Sequence, residues 1–153
     1  MAERKLDHAA EFAKAVREFN SWRFYDAHET LEDVWRECGG KARGKAAAER
    51  PDGRSSERDP LADFYQGIIK AAAGFHHLLR GNYAGTLRVL GDVPRLLEPY
   101  RPTTLGVDVE RFLVDVERAL AAVRELGAER IGEFDGTMVP GIGVSGQWTV
   151  DSE

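Results

Sequence analysis

The stretch PLADFYQGIIKAAAGFHHLLR, residues 60–80, decides the fold, because its apolar residues recur around nearly the whole circumference of a helix. A helix with this pattern is buried on most sides, so we predict that it lies at the centre of a helical domain. Pro60 suits the first turn of such a helix. The apolar residues are Leu61, Phe64, Ile68, Ile69, Ala72, Phe75, Leu78 and Leu79.

Small residues form one line along this central helix, namely Gly67, Ala71 and Gly74. A glycine inside a helix costs about 1 kcal/mol relative to alanine, so two glycines on one face need a reason. The line predicts that the backbone of a neighbouring helix, or a ligand, approaches the central helix closely there.

Further helices are predicted on both sides of the central one, because apolar residues recur there at helical spacing. Asp108 is a candidate N-cap and Gly127 a candidate stop for the last helix, while Pro94 kinks or restarts the one before it. Trp22 and Trp35 are predicted core residues. The predicted fold class is all-α, a single domain of about five helices built from antiparallel helical hairpins. The approximate ranges of the four further helices are 4–19, 22–38, 83–98 and 109–126.

Several segments lack helical periodicity. Residues 39–60 are rich in glycine and charge and contain no apolar residue larger than alanine, which predicts a flexible loop. Residues 98–106 are predicted to be a second loop. Residues 128–153 form a glycine-rich tail in which apolar residues such as Ile142, Val144 and Trp148 are spaced as in extended chain. The predicted organisation is a helical domain at 1–127, interrupted by the first loop, and an extended or partly ordered tail.

Composition bounds the class of protein. A length of 153 residues fits one domain, and 42% hydrophobic residues favour a globular chain over a disordered one. Apolar runs of about 18 residues are absent from the sequence, so no membrane span is predicted. Because 21 basic and 26 acidic residues are interspersed and the net charge is −5, nucleic acid binding is disfavoured. The single cysteine, Cys38, excludes an intrachain disulfide, is predicted to be a packed thiol and suits the reducing cytoplasm.

The second helix, FYDAHETLEDVWREC at 24–38, places a histidine on its predicted core stripe. His28 and Glu32 are four residues apart and share a face, and Glu29 lies at the boundary of that face. An ionisable ring among apolar residues requires either polar partners or a function.

Polar residues of the central helix are candidates for those partners. Gln66, Lys70 and His77 lie along one line, and His76 lies one step round the helix. If the second helix packs against the central one, its histidine and glutamate converge with Gln66 and one of the two histidines. The sequence therefore predicts a buried His/Glu/Gln cluster. Lys70 either extends to solvent or pairs with one of the two second-helix glutamates.

Three interpretations of this cluster follow. It is a structural polar network that fixes helix register, a pocket for a small molecule or anion, or a metal site. As a metal site it uses His28, Glu32 and His77 as ligands for Zn²⁺, Mn²⁺ or non-haem iron, with Glu29 as the general base of a hydrolase. The spacing HETLE departs from the paired Glu-x-x-His pattern of di-iron bundles and from the zinc motif His-Glu-x-x-His.

The segments Phe19–Trp35 and Phe64–Leu90 resemble the two hallmark segments of an uncharacterised family of small helical proteins, known as domain of unknown function 309. The resemblance implies an all-α fold and supplies no activity. Lys70 stands where this family usually has a glutamine, which places a cation beside the cluster and disfavours a cationic ligand. The polar positions that the resemblance singles out are Asn20, His28, Glu29, Glu32, Gln66, His77 and Asn82.

For function, the sequence supports two hypotheses of different class. The first is a binding or interaction module whose cluster is structural or holds a small polar ligand or a partner protein. The second is a metal-dependent, hydrolase-type enzyme that uses the same cluster. A homodimer is compatible with the glycine-rich tail and the exposed helix faces. The candidate ligand-binding residues are His28, Glu32, Gln66, Lys70, His76 and His77.

Overall fold

The structure, a computed structural model, describes residues 6–39 and 59–144. Within those ranges the chain forms six α-helices and one small antiparallel sheet of two strands. The predicted all-α fold class is confirmed, and none of the described helices is long and apolar enough to cross a membrane. The helices are α1 (His8–Asn20), α2 (Phe24–Glu37), α3 (Ala62–Leu79), α4 (Tyr83–Leu90), α5 (Val93–Leu97) and α6 (Val109–Arg130), and the strands are β1 (Thr103–Thr104) and β2 (Val107–Asp108).

Helix α3 lies at the centre of the fold and packs against α2, α4 and α5. Aromatic rings tie the surrounding helices to it. Phe19 of α1 meets Phe24, Phe75 and Phe112 edge-on, with ring centroids 5.0, 6.2 and 5.8 Å away. These four rings are almost completely buried, and such contacts add about 0.5–1.5 kcal/mol each beyond the burial of apolar area. The core therefore joins α1, α2, α3 and α6 around one set of rings.

The glycine line of α3 is where α4 and α5 come close. A Cβ atom built on Gly67 would lie 2.5 Å from Cδ2 of Leu97, and one built on Gly74 would lie 3.2 Å from Cα of Leu90. Both leucines are completely buried. The close approach predicted from the sequence is confirmed, and it is made by neighbouring helices.

Local signals set the ends of the last helices. The carboxylate of Asp108 accepts the backbone N–H of Arg111 at 2.9 Å, so the predicted N-cap is confirmed. Gly127 has φ of 75° and interrupts the helical backbone, after which the chain resumes helix as far as Arg130. The predicted fourth helix is divided in two, because the chain leaves helix after Leu90 and α5 restarts with Pro94 in its first turn.

A short hairpin stands in the region predicted to be the second loop. Thr103 pairs with Asp108 and Thr104 with Val107, and a single 3₁₀ turn at Glu98–Tyr100 precedes them. The loop prediction is therefore wrong for this segment. Strands of two residues are too short to show the alternation of apolar and polar residues by which strands are recognised.

The described part of the tail packs onto the helices. The side-chain amide of Asn20 accepts the N–H of Ile142 at 2.7 Å and donates to its carbonyl oxygen at 3.1 Å. Val144 forms an isolated antiparallel bridge with Val107. Trp148 lies outside the described residues, as does most of the 39–60 loop.

Trp22 is not the core residue predicted from its size. Its side chain is 46% exposed, and its backbone takes φ of 64° in the turn between α1 and α2. The ring stacks on Phe24 and covers Gly136 of the C-terminal segment. Trp35 is partly buried and packs against the core.

Candidate functional site

The polar face of α2 lies at the surface, so the prediction of a buried cluster is wrong. The side chains of His28 and Glu32 are each 26% exposed, and that of Glu29 is 54% exposed. His28 follows a buried alanine and is therefore turned about 100° round the helix from it, to the edge of the core stripe. The stripe itself consists of Phe24, Ala27, Leu31 and Val34.

Three potential metal-ligating side chains converge on this face. His28, Glu29 and Glu32 each offer one ligand atom, and these atoms lie within 4.8 Å of one another. Nδ1 of His28 is 3.6 Å from a carboxylate oxygen of Glu29, which is too long for a hydrogen bond. That nitrogen is buried as an atom and has no hydrogen-bond partner among the described residues. Arg36 lies 3.5 Å from Glu32 and 3.5 Å from Asp33.

An exposed tyrosine completes the face. Tyr25 is 58% exposed and stacks on His28, with ring centroids 6.1 Å apart and an angle of 19° between the planes. Its ring also lies 6.0 Å from that of His76 of α3. Sequence reasoning missed Tyr25, although it precedes His28 by three residues and Glu32 by seven, which places all three on one helical face.

Of the two histidines of α3, His76 is the one that comes near α2. His77 lies towards α4, where its Nδ1 is 3.2 Å from the side-chain nitrogen of Asn82, the N-cap of that helix. Burial lowers the pKa of His77, and the nearby His76 and Arg88 lower it further. His77 therefore favours the neutral ring, and its partner is Asn82 rather than the α2 carboxylates.

Lys70 pairs with a different carboxylate, and Gln66 is not one of the three converging side chains. Nζ of Lys70 is 2.8 Å from Asp92, which stands between α4 and α5, so the predicted pairing with Glu29 or Glu32 is not the one observed. The hydrogen bond from Lys70 holds the pKa of Asp92 below its ordinary value. Gln66 is partly exposed and makes no side-chain hydrogen bond within the described residues.

A buried polar pair exists elsewhere, between α1 and α2. The hydroxyl of Thr30 donates to the carboxylate of Glu18 at 2.8 Å, and both residues are only 7% exposed. Lys14 lies 3.7 Å from the same carboxylate. This pair has the structural role that the sequence suggested for His28, and sequence reasoning missed it because Glu18 sits near the end of a stripe read only for its apolar residues.

Cys38 is a packed thiol, as predicted. It is 2% exposed at the end of α2. Burial raises its pKa to about 11, and the carboxylate of Asp59 adds to the effect. A thiol in this state is a poor nucleophile, so Cys38 is not a candidate catalytic residue.

Comparison with known families places these helices in a recognised group. The model of the family described as "Domain of unknown function (DUF309)" matches residues 12–47 and 54–89. The two matches include α2 and α3, which carry the candidate site, and they confirm the resemblance seen in the sequence. Comparison with curated proteins and with solved structures gave no match.

Proposed function

The two matches are consistent with a DUF309-like family whose description gives no activity, and we propose that this chain is a binding module. The proposed binding surface, called the α2 face below, consists of Tyr25, His28, Glu29 and Glu32 with His76 of α3. It receives a positively charged group of a small polar ligand or of a partner protein. The observation that carries this proposal is that two partly exposed carboxylates converge on His28, whose ring stacks on the exposed ring of Tyr25.

The charge of α2 supports a cationic ligand. The helix carries five carboxylates and a single arginine. Arg36, that arginine, is 56% exposed where it contacts Glu32, and exposed pairs of this kind contribute only about 0–1 kcal/mol. An incoming cation can therefore replace it at small cost. The five carboxylates are those of Asp26, Glu29, Glu32, Asp33 and Glu37.

Tyr25 adds a second attraction for a cation. An exposed aromatic ring attracts an ammonium or guanidinium group over its face by about 0.5–1 kcal/mol. Its ring stacks on His28, whose Nδ1 is 3.6 Å from the carboxylate of Glu29. Lys70, which from the sequence alone disfavours a cationic ligand, is neutralised by Asp92 and does not oppose it.

The test is a titration of the ¹⁵N-labelled full chain with argininamide, followed by the chemical shifts of the backbone amides. Glutaminamide, which has the same α-amino group but lacks the guanidinium group, serves as the control probe of similar size. We expect saturable shifts at residues 25–32 and 76 with argininamide only. Removing both charges with Glu29→Gln and Glu32→Gln should weaken binding about five- to thirtyfold, because each exposed pair is worth up to about 1 kcal/mol.

A matched control removes two charges from another helix. Glu125 and Glu129 are exposed on one helix, α6, and are four residues apart where Glu29 and Glu32 are three apart, so Glu125→Gln with Glu129→Gln changes net charge equally and leaves the α2 face intact. This variant should bind argininamide like the parent chain. Equal weakening in both double variants, or equal shifts with glutaminamide, would contradict the proposal.

The second function predicted from the sequence, a metal-dependent hydrolase, requires a metal ion at the same face. The three converging ligand atoms of His28, Glu29 and Glu32 support such a metal site. The inference that follows concerns the metal ion itself.

A further inference from the structure

We propose that the α2 face binds a divalent transition-metal ion through His28, Glu29 and Glu32. This inference goes beyond the proposed function, because it assigns a metal ion, rather than a charged group of a ligand or partner protein, to the same face. It differs from the ligand set expected from the sequence, in which His77 was the third ligand and Glu29 the general base.

The distances suit a metal ion after small movements of exposed side chains. Ligand atoms bound to one ion at about 2.1 Å in tetrahedral geometry lie about 3.5 Å apart. The ligand atoms of His28, Glu29 and Glu32 lie within 4.8 Å of one another. Glu29 is 54% exposed and can rotate without disturbing the core, so a bound ion requires no change in the backbone of α2.

The imidazole has a nitrogen that lacks a partner. Nδ1 of His28 makes no hydrogen bond within the described ranges, and the nearest carboxylate oxygen is 3.6 Å away. An ion between a nitrogen and an oxygen separates them by at most about 4.2 Å at ordinary bond lengths. The observed gap therefore accommodates an ion.

The donor atoms restrict which ion is bound. One imidazole and two carboxylates suit Zn²⁺, Mn²⁺ or Fe²⁺, whereas Ca²⁺ and Mg²⁺ prefer oxygen atoms only. Three protein ligands leave coordination positions open to water or to a group of the ligand. On this assignment Glu29 is a metal ligand.

The experiment is calorimetric titration of the chelator-treated full chain with ZnCl₂ and, separately, MnCl₂. We expect one ion per chain. His28→Ala and Glu29→Gln should each weaken binding at least about tenfold, which is the low end of losses seen even for residues that only support metal ligands. Circular dichroism of each variant checks folding, and Glu29→Gln is the safer variant because Glu29 is exposed.

Two control variants test whether the loss of metal binding is specific to the proposed ligands. His77→Ala removes the ligand expected from the sequence, and Glu125→Gln removes an exposed carboxylate of α6; both should bind metal like the parent chain. Absence of saturable binding, or binding unaffected by His28→Ala and Glu29→Gln, would overturn the inference. A loss with His77→Ala but not with Glu29→Gln would overturn this ligand set in favour of the earlier one. If metal fails to bind while argininamide still does, only this inference falls; if both fail, the proposed function falls too.

Discussion

Gly67→Ala should destabilise the protein, although alanine is the better helix former. The gain in helix propensity is about 1 kcal/mol. Against it, the new Cβ would lie 2.5 Å from Cδ2 and 2.8 Å from Cγ of Leu97, which is completely buried. Overpacking of this kind costs about 1–3 kcal/mol. Because Leu97 is completely buried, we take the upper part of this range, about 2–3 kcal/mol, and expect a net loss of about 1–2 kcal/mol in the free energy of unfolding.

The sign of the effect should reverse when the obstructing atoms are removed. Leu97→Ala alone costs about 2–5 kcal/mol through the cavity it leaves. In that background Cγ and Cδ2 of Leu97 are gone, and the nearest remaining contact is Cβ of Leu96 at 3.4 Å. Gly67→Ala should then stabilise by about 1 kcal/mol. The double-mutant cycle should show a coupling of about 2–3 kcal/mol.

A second cycle at Gly74 provides the control. A Cβ there would lie 2.9 Å from Cβ and 3.2 Å from Cα of Leu90, and alanine retains both atoms. Gly74→Ala should therefore be destabilising with or without Leu90→Ala. All variants are measured by urea unfolding followed by circular dichroism at 25 °C. The reasoning is refuted if Gly67→Ala stabilises the parent chain, or if it costs the same in both backgrounds.

Three further predictions use other parts of the structure. Burial raises the pKa of Cys38 to about 11, so its reaction with a disulfide reagent at pH 8 should be at least about a hundredfold slower in the native protein than in urea; similar rates would contradict the packing. Asn20→Ala removes both side-chain hydrogen bonds to Ile142 and should cost about 1–2 kcal/mol. Amide hydrogen exchange at Ile142 should accelerate, and unchanged exchange would show that other contacts hold the segment. Burial lowers the pKa of His77, so the unfolded chain takes up the proton first and stability should fall as the pH is lowered below about 6.5. His77→Gln should flatten that fall in urea midpoints, and an unchanged slope would assign it to another group.

The parts of the fold that depend on local chemistry were predictable. Asp108 caps α6 because its carboxylate reaches an N–H three residues on, and this needs no information from distant parts of the chain. Gly127 interrupts the helix because it takes a positive φ that other residues rarely adopt. The central position of α3 follows from apolar residues on nearly all its sides.

The parts that depend on distant partners were not predictable. Strand β2 pairs with β1 on one side, and its Val107 meets Val144, which lies far along the chain. Trp22 is large and apolar, but its position in a tight turn leaves it at the surface over Gly136. Neither outcome is predicted by a periodic pattern in the sequence.

In the candidate site too, relations within one helix were predictable and relations between helices were not. Helical spacing correctly places His28 beside Glu32, because that relation lies within one helix. The choice between His76 and His77 depends on how α3 is rotated about its axis. The close approach of α4 and α5 along the glycine line fixes that rotation, so His77 meets Asn82 while His76 lies near Tyr25.

The two hydrogen bonds between Asn20 and Ile142 have a consequence for folding during synthesis on the ribosome. The two residues are 122 positions apart, so at about 5–20 residues per second the amide emerges roughly 6–24 s before its partner exists. Helices and small helical domains form much faster than that. Asn20 is exposed in the folded protein, so water can hydrate its side-chain amide until Ile142 is synthesised. These two hydrogen bonds therefore form late, after the helices have assembled during translation.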